Sequence, residues 1–100
     1  MEKRRPTYDL ASIKVEFATV AALRMTRSAR DAAFALGFNL QEVVDVIESI
    51  SAAHFFKSMT SYANVRIWQD VYHVPCGGLV LYVKFTVDEE GKLVIAFKEK

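Results

Sequence analysis

One hundred residues bound the chain to one domain, residues 1–100, with one modest core. Hydrophobic residues make up 52% and the net charge is +1, which excludes a disordered polyelectrolyte and leaves no bulk mark of a nucleic-acid binder. No run approaches the roughly 20 apolar residues of a membrane helix. No apolar signal core follows the basic start MEKRRP, and the single cysteine, Cys76, has no partner in the chain, so a cytoplasmic protein with no membrane contact is expected.

In chain order, Pro6 ends a charged leader, and Asp9 is placed to N-cap a helix with Leu10, Ile13, Phe17 and Val20 on one stripe. A short extended piece, Leu23–Met25, follows. Thr26 or Ser28 then caps an alanine-rich helix that turns Ala29, Ala32, Ala33 and Leu36 inward, with Gly37 placed to stop it. Asn39 and Glu42 form a capping-box-like start for the clearest amphipathic helix, where Leu40, Val43, Val44, Ile47 and Ile50 recur at 3–4 spacing. Charge is uneven: residues 1–30 carry seven Lys/Arg against three acids, and 31–53 carry four acids and no base, so the basic segment suits phosphate and the acidic helix repels it.

The second half changes period. The segment SAAHFFKSM reads as a transition, and one reading of the stretch Phe55–Tyr62 is a packed connection with Phe55 and Phe56 in the core. Val65–Val74 is rich in β-branched and aromatic residues. Pro75 and Cys76-Gly77-Gly78 make a connection. LVLYVKFTV at 79–87 and KLVIAFK at 92–98 then alternate around a turn at Asp88–Gly91, which defines a half-buried antiparallel hairpin. Its apolar face holds Leu79, Leu81, Val83, Phe85, Val87, Leu93, Ile95 and Phe97, and its other face holds Tyr82, Lys84, Thr86 and Lys98. Helices first and a meander second predict a two-layer α+β domain, with N-terminal helices packed on a small antiparallel β-sheet.

No phosphate-binding glycine loop, dinucleotide fingerprint or GxSxG elbow is present, and His73 with Cys76 is too thin a set for a structural zinc, so no metal or cofactor is expected. The polar hairpin face presents amines and a phenol, groups that hold a phosphodiester and move protons on it. It also reads as an ordinary solvated face. The segment Phe55–Tyr62 places Lys57 among hydroxyls and aromatics, a mix suited to a phosphate beside a stacked base, and Gln69 lies on the strand face opposite Trp68, Asp70 and Tyr72.

Together with MEKRRP and the helix start Thr26-Arg27-Ser28-Ala29, the blocks FKSMTSY (56–62), IWQDVY (67–72), YVKFTV (82–87) and FKEK (97–100) resemble the MqsR (motility quorum-sensing regulator) toxin family from end to end. The resemblance implies a RelE-like fold and a ribosome-independent endoribonuclease, an mRNA interferase that prefers GCU sequences in single-stranded mRNA. It also implies a cognate antitoxin with a zinc-binding N-terminal domain and a helix-turn-helix domain, through which DNA is met only indirectly. On this chain the family's active-site positions fall on Lys57, Gln69, Tyr82 and Lys98. Met59 lies in the same block as Lys57, and Lys84 lies on the same polar face as Tyr82; both are expected to line the substrate. His73 stands where an arginine often follows the block's last tyrosine, which makes a contact to base or phosphate pH-dependent. The turn at 88–91 reads as longer than the family's.

RNA cleavage without metal needs removal of the 2′-hydroxyl proton, stabilisation of a dianionic phosphorane and protonation of the 5′-oxygen. Lys57 and Lys98 are expected at the phosphate, one of them as a base if the other lowers its pKa. Tyr82 is expected to donate a hydrogen bond or proton, and Gln69 to orient phosphate or base. The competing readings are an inactive RNA- or antitoxin-binding module and a nuclease built on His54 and His73. A small sheet of this kind leaves an edge strand on which an antitoxin can add a strand or a covering element.

Overall fold

A computed structural model describes residues 1–100. Five antiparallel strands run in the order β1 (Glu2–Lys3), β2 (Phe55–Thr60), β3 (Trp68–Cys76), β4 (Leu79–Val87) and β5 (Leu93–Glu99). Helices α1 (Leu10–Glu16), α2 (Arg27–Ala35) and α3 (Leu40–Ser49) connect β1 to β2, and the layer they build on the sheet is the expected α+β architecture.

The helices start where their caps dictate. The Asp9 carboxylate accepts from Ser12 N, Thr26 Oγ1 accepts from Ala29 N, and Asn39 and Glu42 form a reciprocal capping box. Helix α1 is shorter than its apolar stripe predicts. It ends at Glu16 with Phe17 as C-cap, and Val20 falls in a separate half-exposed turn. Helix α2 ends in a left-handed residue, Gly37 (φ 87°), while Phe38 N donates to Ala33 O and Gly37 N to Phe34 O, the paired closure that favours glycine there. Ala32 is only partly buried, and Val46, absent from the expected stripe of α3, is buried.

The core lies between these helices and one sheet face. Ile13, Phe17, Ala29, Ala33, Val43 and Ile47 meet Tyr72, Val74, Leu81, Val83, Phe85 and Ile95. The hairpin alternation is as expected, with Leu81, Val83, Phe85, Ile95 and Phe97 all buried. Burial, then the Asp70 and Asp9 carboxylates, push the Tyr72 phenol up to about 12, so it packs in neutral form.

Four expectations are corrected. The transition at 55–60 is strand β2, the strand expected from Val65 begins at Trp68 as β3, and the charged leader contributes β1. Strand β3 continues through Pro75 and Cys76, so the connection shrinks to Gly77-Gly78, whose φ of 53° and 86° make the two-residue turn that matches strand twist. Pro75 lies past the end of β2, where β3 is free on that side and no N–H is needed there. The far edge of the sheet is capped as well: Ile95 N donates to Arg24 O, Thr26 N to Ile95 O, and Met25 bridges Ile95 in parallel, so the predicted extended piece 23–25 shields β5.

Candidate active site

Cross-strand partners share a face, so the register fixes what the outer sheet surface presents. One row pairs Lys57, Val71, Lys84 and Ala96; the next carries His73, Tyr82 and Lys98; Met59 pairs with Gln69 beyond the first. Lys57, Met59, Gln69, His73, Tyr82, Lys84 and Lys98, all seven residues expected at the site, thus stand on one face, away from the core.

A bulge places the eighth. The register shifts between Phe55 and Lys57, so Phe55 pairs with Tyr72 on the core side while Phe56 and Lys57 both turn outward. Phe56, placed in the core by the packed-connection reading, is 40% exposed and stacks on His73 at 4.3 Å. His73 lies 5.9 Å from the Tyr82 ring, the Lys98 ammonium 5.0 Å over that ring, and the Lys57 ammonium 5.4 Å from Phe56. A continuous aromatic row therefore crosses three strands with a site lysine held over each end. Val71, the cross-strand partner of Lys57 and Lys84, is completely buried although it lies on this outer face, and forms its apolar floor. Strands β2 and β5 are three spacings apart, roughly 14 Å, so Lys57 and Lys98 flank this floor rather than meet.

The charges divide accordingly. Burial, then Lys98, pulls the Lys84 ammonium below its ordinary range, so the cation beside Lys98 is Lys84. Lys57 instead forms a 2.6 Å ion pair with Glu2 of β1, and that pairing holds the Glu2 carboxylate below the usual carboxylate range. Burial, then Lys100, holds His73 below 6.5, so it is neutral at pH 7. A cleft of about 270 Å³ opens where Ser28, Ala29 and Ala32 of α2 face Tyr82, Lys84 and Lys98.

Strand β1 is held in register by several contacts. Thr60 N donates to Met1 O, the buried Asp70 carboxylate accepts from Thr7 N and Tyr8 N at 2.8–3.0 Å, Tyr8 Oη donates to Trp68 O, and Lys3 rests 4.3 Å over the Trp68 ring. Gln69 and Asp70 therefore divide the labour of β3: Gln69 faces the open surface and Asp70 ties down the N-terminal segment. His54 does not join the face. It lies in the turn before β2, where its Nδ1 accepts from Ser51 N. Cys76 is three residues from His73 and so belongs to the core side of β3, which separates that pair as ligands.

Phe56 and Glu2 were not picked out from the sequence. An aromatic pair before a lysine carries no mark of a bulge, and a two-residue strand has no periodicity.

An α+β domain with a cationic open sheet face crossed by an aromatic row is the class these observations define. The chain belongs to the MqsR toxin family: residues 5–99 match the family described as motility quorum-sensing regulator, toxin of MqsA. It is similar to the mRNA interferase toxin MqsR of Escherichia coli (strain K12), at 39% identity over 100 residues covering 100% of both chains.

Proposed function

We propose that this chain is the toxin of a type II toxin–antitoxin pair, a ribosome-independent, metal-independent endoribonuclease that cleaves mRNA at GCU-like sites and so inhibits translation and growth. The observation that carries the reading is the gathering of Lys57, Gln69, Tyr82 and Lys98 on one open face around an aromatic row. Membership in the toxin family and similarity to a protein named an mRNA interferase support it.

On this reading single-stranded RNA lies across the sheet. The 2′-oxygen attacks the adjacent phosphorus, the 5′-oxygen leaves, and a 2′,3′-cyclic phosphate and a 5′-hydroxyl result. Lys57 and Lys98 hold the phosphate from opposite sides and stabilise the phosphorane charge, and Lys84 adds to the same field. Tyr82 protonates the 5′-oxygen, Gln69 orients phosphate or base, and Phe56 and His73 with Met59 receive a base. The antitoxin partner, with a zinc-binding N-terminal domain and a helix-turn-helix domain, is carried over from the family, and the free Cys76 and the absence of any helix long and apolar enough to cross a membrane fit a cytoplasmic place of action.

The test is a defined mRNA incubated with purified protein and EDTA, without ribosomes, with ends mapped by primer extension. Discrete cuts at recurring triplets are expected, slowed roughly 10²-fold or more in Lys57→Ala, Lys98→Ala and Tyr82→Phe. Binding without cutting by folded protein identifies an inactive binding module. Loss of cutting only in His54→Ala or His73→Ala moves the chemistry to the histidines.

A further inference from the structure

We propose that Glu2 is the proton acceptor of the cleavage step, a catalytic residue supplied by the N-terminal edge strand. The inference rests on the ribonuclease reading above and completes it, because that reading names a proton donor and phosphate ligands but no group to take the 2′-hydroxyl proton.

Position singles Glu2 out. It pairs with Met59 across β1 and β2, which places it on the same face as Lys57 and Gln69. Every other outward position of the strands is a lysine, an aromatic residue, a histidine, a glutamine, a threonine or an apolar residue, so Glu2 is the face's one carboxylate. Its Oε1 lies 2.6 Å from the Lys57 ammonium, so a phosphate held by Lys57 brings its neighbouring 2′-hydroxyl toward that carboxylate.

The lysines fit the acceptor role less well. An ammonium engaged in an ion pair has no lone pair to offer, and Lys57 is so engaged. Lys84 and Lys98 belong to the far strands with Tyr82, the side of the leaving oxygen. In-line displacement needs acceptor and donor on opposite sides of phosphorus. Strands β1 and β4 flank β2 and β3, which places Glu2 and Tyr82 on opposite sides of the floor formed by Val71 and His73.

The step balances without a cofactor. The Glu2 carboxylate takes the 2′-hydroxyl proton as the 2′-oxygen forms its bond to phosphorus, the bond from phosphorus to the 5′-oxygen breaks, and that oxygen receives the Tyr82 proton. Exchange with water returns both side chains to their starting forms. The charged groups facing Glu2 are Lys57 from β2 and, from the residues flanking its own strand, Arg4 and the N-terminal amine. All three favour the carboxylate, so Glu2 is ionised and ready at neutral pH, with Lys57 the dominant influence.

An exposed ion pair of this kind adds little to stability, so its removal reads out function. The experiment is single-turnover cleavage of an oligoribonucleotide in EDTA from about pH 3 to pH 9 by native protein, Glu2→Gln and Glu2→Asp. Binding of the 2′-deoxy oligonucleotide and thermal melting serve as controls. Native rate is expected to climb on an acid limb below the ordinary glutamate value of about 4.3 and to level off well before neutrality. Glu2→Gln is expected to be roughly 10²-fold slower, with that limb lost and with melting and 2′-deoxy binding kept, and Glu2→Asp to recover part of the rate with the limb. Glu2→Gln cutting at the native rate overturns the inference, as does a slower Glu2→Gln that keeps the native pH profile, which marks a residue that only positions Lys57. A native rate still climbing above pH 8 assigns the proton to an amine and also overturns it. Native protein that does not cut at any pH overturns the ribonuclease reading and this inference together, an outcome distinct from the other three.

Discussion

His73 shows how a single side chain's surroundings set what this face does at a given pH. Burial between Phe56 and Tyr82, then the Lys100 charge, keeps its pKa below 6.5, so at pH 7 it stacks as a neutral ring. Folding lowers this pKa, so the unfolded chain binds the proton more readily. The stability that neutral His73 contributes is whole above about pH 6.5 and declines as pH falls through the lowered value. On the proposed phosphate-binding surface the new charge has the opposite effect on ligand. Affinity for a 2′-deoxy oligonucleotide, measured by fluorescence anisotropy, is expected to rise as pH falls from about 7 to about 5.5, with the rise absent in His73→Gln. A flat native profile would show that His73 stays away from the backbone phosphates. An arginine here would carry its charge at every pH, so the histidine makes that contact conditional.

At the scale of elements, β1 matters more than its two residues suggest. Its pairing to β2 is short, and its register depends on Asp70, whose buried carboxylate accepts three backbone hydrogen-bond contacts from Thr7 and Tyr8. Removing that acceptor strands two donors in a partly buried turn. Asp70→Ala is therefore expected to cost about 3 kcal/mol in urea unfolding, and Asp70→Asn, which keeps an oxygen, clearly less. Both act on the site only through the N-terminal strand and leave the row from His73 to Lys98 in place. The β2 bulge is the other decisive element: without it Lys57 would turn to the core side and Phe56 alone would face outward.

For the whole molecule, a net charge of +1 hides a face on which Lys57, Lys84 and Lys98 stand together while the acids of α3 project from the helical layer. Binding to single-stranded RNA is expected to weaken with salt, with a slope of log K against log salt of about −2 for three phosphate contacts. Titration of a 2′-deoxy oligonucleotide across salt concentrations gives the slope, and Lys98→Ala is expected to make it shallower by about 0.7. A slope near zero in native protein would remove this face from phosphate binding.

The local rules by themselves determined much of this molecule. The caps at Asp9, Thr26 and Asn39, the stop at Gly37, the amphipathic α3 and the two-faced hairpin that carries Tyr82, Lys84 and Lys98 all follow from neighbours in sequence. Period-two alternation assigned the hairpin's outer residues before any pairing was known. Family resemblance picked out Lys57 and Gln69, which composition left ambiguous. Tertiary structure alone decided the rest. Strand β2 is illegible because its bulge breaks the alternation, and because a buried Ser58, satisfied by Thr7, and an exposed Phe56 reverse the expected polarity. Strand β1 is illegible because two residues have no period and its register is set by Asp70, more than sixty residues away in the chain. For the same reason the sequence left Glu2 in a charged leader, and only the packing of that leader against β2 places its carboxylate beside Lys57: a strand's faces are local, but which strand lies beside it depends on contacts across the fold.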